Sequence, residues 1–155
     1  MNIHGSGPRL IIVCGLPGAG KTTLAKELEC ALGAVRFCPD EWMADLEIDV
    51  WDEARRAKVE TFQWILGQQL LSLGLTIVIE WGTWGRSERD ALRCKAKALG
   101  AAVELHYVSA PVEVLFERLQ RRGLEDPPIR LKQLQEWAHA FEVPTPEEMA
   151  WYDKS

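Results

Sequence analysis

The sequence predicts an α/β domain with three layers: a parallel sheet of four or five strands, covered by helices. Three observations predict it. Short runs rich in β-branched residues alternate with stretches of helical periodicity. The first run, Leu10-Ile11-Ile12-Val13-Cys14, is apolar without interruption, as a strand covered on both faces requires. A glycine-rich turn joins that run to the next helical stretch. Strands alternating with helices in this way pair in parallel through right-handed crossovers.

The elements follow in order. Residues 22–32 place Leu24, Leu28, Ala31 and Leu32 at helical spacing, and Gly33 stops them. Residues 35–38 form a short second strand broken by Pro39. Residues 52–73 read as a long helix with Val59, Phe62, Ile65, Leu66, Leu70 and Leu73 on its buried face, ended by Gly74. Residues 76–80 form the third strand and 103–108 the fourth. Between them, residues 87–99 read as a helix with a capping-box-like start at Ser87 and Asp90 and a stop at Gly100. Residues 111–122 form a helix with proline early, Val112, Leu115, Phe116 and Leu119 inward, and Gly123 at its end. A proline-containing break at 123–128 precedes a last helix over 131–140, and an irregular tail follows. No clear fifth strand and no internal repeat is visible, and 155 residues suit one domain.

The turn after the first strand reads Gly15-Leu16-Pro17-Gly18-Ala19-Gly20-Lys21-Thr22, which fits G-x-x-x-x-G-K-[ST]. The glycines let successive backbone N–H groups point inward at phosphate oxygens. The loop runs into a helix N-terminus, whose unpaired N–H groups and dipole favour an anion. Lys21 supplies a mobile charge to the terminal phosphates and the Thr22 hydroxyl a ligand for Mg²⁺. Gly15, Pro17, Gly18, Ala19, Gly20, Lys21, Thr22 and Thr23 are therefore the candidate binding residues for ATP with Mg²⁺; Thr23 reads equally as an ordinary helix residue.

Asp40 follows the second strand, where strand ends converge on a ligand crevice. A carboxylate there can take the proton of an attacking hydroxyl, or simply cap a helix starting at Glu41. Glu80 ends the third strand after four apolar-side residues and can serve the metal or the acceptor. Trp81 and Trp84 alternate with glycines in the following loop, as pocket walls or as packing against the sheet. Trp42 beside Asp40, and Arg86, complete the acceptor-side candidates. Arg118 and Arg122, one turn apart, can face the phosphates together; as surface cations they would only favour a helix C-terminus.

Composition excludes several classes. Hydrophobic residues make up 47% and charged residues 26%, ordinary values for a globular protein. No apolar run approaches the roughly 20 residues that span a bilayer. The first eight residues lack a signal pattern and read as a flexible lead-in, which places the protein in the cytoplasm. Cys14, Cys30, Cys38 and Cys94 form no Cys-x-x-Cys pair and the three histidines are scattered, so no zinc site is expected. The net charge of −5 argues against nucleic acid, although Arg118, Arg121, Arg122, Arg130 and Lys132 gather in one stretch. The remaining tryptophans leave a dimer open.

The loop over 15–22, Asp40, Glu80 and the run Glu117-Arg118-Leu119-Gln120-Arg121-Arg122 together resemble the small P-loop kinases of the adenylate-kinase-like superfamily. The chain is most similar to the chloramphenicol-phosphotransferase-like and zeta-toxin-like branches, over residues 10 to about 146. The resemblance implies the P-loop NTPase fold, a short lid at roughly 118–132, Asp40 as general base, and Arg118 and Arg122 on phosphates. It also implies that residues 141–145 flank the adenine. Nucleoside-monophosphate kinases usually carry Asp-Gly-x-Pro-Arg after the third strand; here the run is Glu80-Trp81-Gly82-Thr83-Trp84-Gly85-Arg86. That departure favours a hydroxyl acceptor other than a nucleotide, such as an antibiotic, a sugar, a nucleoside or another metabolite. A 5′-hydroxyl polynucleotide kinase and a regulatory ATPase without an acceptor are the alternatives.

Overall fold

The computed structural model describes residues 7–154; the first six residues of the expected eight-residue lead-in lie outside them. The chain runs β1 (Arg9–Cys14), α1 (Lys21–Leu32), β2 (Val35–Phe37), α2 (Pro39–Asp45), α3 (Glu53–Ser72) and β3 (Thr76–Ile79). It continues through α4 (Arg86–Ala98), β4 (Ala102–Tyr107), α5 (Val112–Arg122), α6 (Leu131–Ala140) and α7 (Pro146–Met149). The four strands are all parallel, in the order β2-β3-β1-β4. No fifth strand is present among the described residues. No helix among them is long and apolar enough to cross a membrane.

β1 lies between two partners and is covered on both faces, and the cover explains its unbroken apolar sequence. Leu10 through Cys14 are fully buried. Leu10, Ile12 and Cys14 join a cluster with Phe37, Ile77, Ile79, Leu92 and Leu105. Ile11 and Val13 join Val78 and Ala25 on the opposite face, with Leu24 and Leu28 of α1 packed against them. A third cluster sets Leu115 and Leu119 of α5 against Leu134 of α6 and Ala19 of the glycine-rich turn. Parallel register brings the carboxyl ends of β1, β3 and β4 to one edge, where Gly15 N–H donates to the Gly82 carbonyl at 3.3 Å and Val108 N–H to the Cys14 carbonyl at 3.0 Å.

Three local expectations fail. The apolar face assigned to α3 turns largely outward: Phe62 is 65% exposed, Ile65 48% and Leu73 75%. The buried side instead carries Val59, Gln63, Gly67 and Leu71. Gly67 decides this, because a Cβ there would lie 2.9 Å from Ile77 Cδ1; its absence lets the helix approach the sheet along that side. Gln63 is tolerated there because its Oε1 accepts from Trp81 Nε1 at 2.8 Å. Second, α4 begins at Arg86 with Gly85 as its cap, so Ser87 lies inside the first turn and forms no capping box. Third, the tail contains α7, capped by Thr145 Oγ1, which accepts from Glu148 N–H at 3.2 Å.

α7 has a structural task. Glu148 is buried and takes two hydrogen bonds from the fully buried Arg89, from Nε at 2.8 Å and Nη2 at 3.0 Å. Arg89 also donates to the carbonyls of Thr83 at 2.8 Å and Glu142 at 2.7 Å. One guanidinium thus ties the loop after β3 to the C-terminal segment.

Candidate functional site

The glycine-rich turn wraps the amino end of α1. Gly15 has no room for a side chain: a Cβ would stand 2.4 Å from the Val108 carbonyl oxygen. Gly20 adopts φ 106° immediately before α1, a conformation open to glycine at little cost. Ala19 is buried and its N–H donates to the Leu16 carbonyl at 3.1 Å, while Pro17 is half-buried and Thr23 is exposed on α1.

Lys21 folds across the turn, donating from Nζ to the carbonyls of Gly15 at 2.9 Å and Leu16 at 3.1 Å. Burial pushes its ammonium down to about 8, against the attraction of Asp40 and Glu80; Arg122 adds to the depression. Thr22 Oγ1 donates to Glu80 Oε1 at 2.5 Å. Glu80 is buried just beyond β3, and its other oxygen accepts from Arg36 Nη1 at 2.9 Å. Arg36 further donates to Glu29 Oε2 at 3.1 Å and, through Nη2, to both oxygens of Glu41 at 2.9 and 2.8 Å.

Asp40 sits in the first turn of α2 and is exposed. It caps nothing, since Cys38 holds the cap position. Its Oδ1 accepts from Arg56 Nη2 at 2.6 Å. One turn further along α3, Glu60 is pushed up to about 7 by burial, with the negative charge of Glu88 adding and Arg56 opposing. Burial likewise raises Glu88 of α4. The contact between Asp40 and Arg56 thus joins α2 to α3.

The tryptophans divide. Trp81 is 5% exposed, with its Nε1 donating to Gln63 Oε1 and its ring edge-on to Trp64 at 6.3 Å between centroids. It packs the loop onto the sheet and has no face left for a ligand ring, which corrects the expectation that it walls a pocket. Trp84 is half-buried, tilted against Trp137 at 5.8 Å and Phe141 at 6.4 Å. Trp42 is half-buried, edge-on to Phe37 at 6.0 Å. Arg86 lies 3.8 Å from Asp90 on its own helix.

On the other flank, Arg118 Nη1 donates to the Gly18 carbonyl at 3.1 Å, so this arginine already touches the turn. Arg122 is paired with Glu125 at 2.5 Å. The following segment is tied down by Trp51 Nε1, which donates to the Pro127 carbonyl at 2.9 Å, and by Gln120, which reaches the Ile129 carbonyl at 3.3 Å. A cavity of about 120 Å³ opens between the turn, the end of β4 and the end of α6, lined by Leu16, Ala19, Val108, Ala110, Phe141 and Val143 among others. Its apolar walls beside a phosphate cradle suit a flat heteroaromatic ring.

Mg²⁺ fits the donor set as a nucleotide-borne ion. Thr22 and Glu80 are hard oxygen donors, and among the described residues no group of three or more His, Cys, Asp or Glu can hold a metal by itself. Sequence reasoning missed Arg36, Arg56, Glu60 and Glu88. Arg36 carried a signal: a charged residue at the middle of the three-residue β2, between Val35 and Phe37.

Residues 10–144 match the family model AAA_33, described as an AAA domain. No curated protein matches the sequence. Among solved structures, a gluconokinase from Sinorhizobium meliloti 1021 is 22% identical with a TM-score of 0.62, over 90% of this chain and 78% of that one. Kti12 of Chaetomium thermophilum in complex with ADP-AlF3 is 20% identical with a TM-score of 0.68, over 89% and 82%. A chain of the Pnkp1/Rnl/Hen1 RNA repair complex is 18% identical with a TM-score of 0.74, over 98% of this chain and 48% of that one. At these identities the likenesses speak for the fold, and the family match spans most of the sequence. The chain belongs to the AAA_33 family and has the P-loop kinase-like fold.

Proposed function

We propose that the protein is an ATP-dependent kinase that moves the γ-phosphate onto a hydroxyl of a small molecule. The observation that carries this reading is a convergence at one sheet edge. The Thr22–Glu80 pair stands at 2.5 Å beside Lys21, and Asp40 follows β2, whose last residue, Phe37, accepts from Glu80 N–H at 3.1 Å. A turn that only bound nucleotide would need the first of these and not Asp40.

When bound, Mg²⁺-ATP supplies the transferable phosphoryl group and a cation that shields its charge. Thr22 and Glu80 would hold that metal. The backbone N–H groups of the turn and Lys21 would grip the phosphates, leaving the two carbonyls that Lys21 now holds. Arg118, already on Gly18, and Arg122 would meet the charge that develops on the transferred group. Phe141 and Val143 would flank the adenine. Asp40, aimed by Arg56, would accept the proton of the acceptor hydroxyl. Trp42, Trp84 and Arg86 would border the acceptor, with the segment around 118–132 as lid.

The net charge of −5 disfavours a polynucleotide 5′ end, whose phosphate backbone needs a basic track. The test is ATP consumption with Mg²⁺ against antibiotics, sugars, nucleosides and 5′-hydroxyl oligonucleotides, with products weighed for an added phosphate. Asp40→Asn should keep ATP affinity and lower turnover by roughly 10²-fold or more. Tight ATP binding with no stimulated acceptor across the panel would count against the kinase reading.

A further inference from the structure

We propose that Arg36 is a positioning residue for the metal: it acts through Glu80 on Thr22, and ties that pair to the α2 turn that bears Asp40. The proposal rests on the Mg²⁺-ATP reading above and names a residue that reading does not require.

The Arg36 side chain is 9% exposed and that of Glu80 3%. Burying such a pair is expensive, and an apolar side chain at this point of β2 would serve stability as well or better. The guanidinium nevertheless reaches three elements. Nε holds Glu29 of α1, Nη2 holds Glu41 of α2, and Nη1 holds Glu80 after β3. Pure neutralisation would need one contact; this arrangement uses the planar fork to fix three carboxylates in direction.

The direction matters most at Glu80. Its two oxygens are divided, Oε2 to Arg36 and Oε1 to the Thr22 hydroxyl. A hydroxyl that gives its proton to Glu80 turns its lone pairs the other way, toward the phosphate turn, where a cation can use them. Remove Arg36 and the buried Glu80 keeps Thr22 as its hydrogen-bond partner but loses the anchor that sets its plane. It also then faces Glu41 and Glu29 without their shared counter-charge. Glu41 is the neighbour of Asp40, so the same guanidinium holds the acceptor-side turn in register with the metal side.

The experiment uses the full chain with Mn²⁺ as the probe metal and a non-hydrolysable ATP analogue. Free Mn²⁺ is followed by electron paramagnetic resonance, and analogue affinity is measured with and without metal. R36M and R36K should bind the analogue without metal as the wild type does. Both should lose at least about tenfold of the affinity that metal adds, as removal of a residue supporting metal ligands does. Lysine fails because a single ammonium nitrogen cannot span carboxylates that three separate guanidinium nitrogens reach. In an E80Q background, R36M should remove nothing further, because the effect runs through Glu80. Circular dichroism checks folding, and R36K decides if R36M does not fold. Wild-type metal coupling in folded R36K overturns the proposal. Equal loss of affinity with and without metal overturns it too, since Arg36 would then only hold the fold. Absence of metal coupling in the wild type overturns it together with the reading on which it rests.

Discussion

Lys21 offers a sharp test through pH. Its ammonium is buried in the turn and pushed down to about 8, whereas an exposed lysine titrates near 10.4. Only the charged form can pair with phosphate, and a bound polyphosphate would restore its proton. With a free-state value near 8, about three quarters of Lys21 is charged at pH 7.5 and about one tenth at pH 9, so nucleotide affinity should fall roughly eightfold between them. Phosphate groups titrate near 6, so ligand ionisation contributes little in this window. Binding at pH 8 should take up about half a proton per site. Calorimetry of the ATP analogue with Mg²⁺ in two buffers of different ionisation enthalpy reads both quantities. Lys21→Arg keeps its charge throughout and should bind with a flat profile. A flat wild-type profile, or binding at pH 8 without proton uptake, would refute the claim that burial of this lysine governs affinity. Stability moves the other way. The folded value lies below the unfolded one, so the unfolded chain holds more protons between about 8 and 10.4, and Lys21 adds stability to the free protein as pH rises through that range.

Two further perturbations test other parts of the structure. Arg89→Leu strands Glu148 in the interior and should cost about 3–5 kcal/mol in urea melts, whereas changing both residues to leucine should recover a large part of it; equal losses would mean that the pair's contacts to Thr83 and Glu142 matter more than the charge. Glu60 is pushed up to about 7, above its ordinary value, so its contribution to stability is fully present below pH 4.5 and is lost as pH rises through 7. Glu60→Gln should therefore raise the melting temperature at pH 8 by about 2–4 °C, for roughly 1 kcal/mol, and change it little at pH 5. An equal rise at both values would remove burial and Glu88 as the cause.

The parts of the fold that were legible are those whose signals are local. β1 announces itself because a strand covered on both faces needs apolar residues at every position, and Leu10 through Cys14 supply them. The phosphate turn is legible because its glycines answer backbone demands that no other residue meets, as the 2.4 Å approach at Gly15 makes concrete. α3 was placed correctly along the chain and wrongly about its axis. Periodicity counted Phe62, Ile65 and Leu73 as core, whereas the contact surface is set by Gly67 and by the hydrogen bond from Trp81 to Gln63. A glutamine weighs against burial and a glycine against a helix interior, and only the partner strand shows why they are inside.

The charged network of the site was hidden for a related reason. Asp40 and Glu80 stood out because each follows a strand, but the arginines that hold them are distant in sequence or on another element: Arg56 lies on α3, sixteen residues from Asp40, and Arg36 is separated from Glu80 by forty-four. Pairing at such distances leaves no spacing to read. It also changes what the carboxylates mean. An isolated buried Glu80 would be a poor ligand holder, free to turn in its pocket; held by Arg36 it presents a fixed oxygen to Thr22. Asp40 is exposed and would otherwise be a mobile surface acid; held by Arg56 it keeps one oxygen occupied and one available. Each candidate acid of the reaction thus comes with its own arginine. The proposed chemistry depends on the pairs, so replacing either arginine should damage the site while leaving the phosphate turn intact.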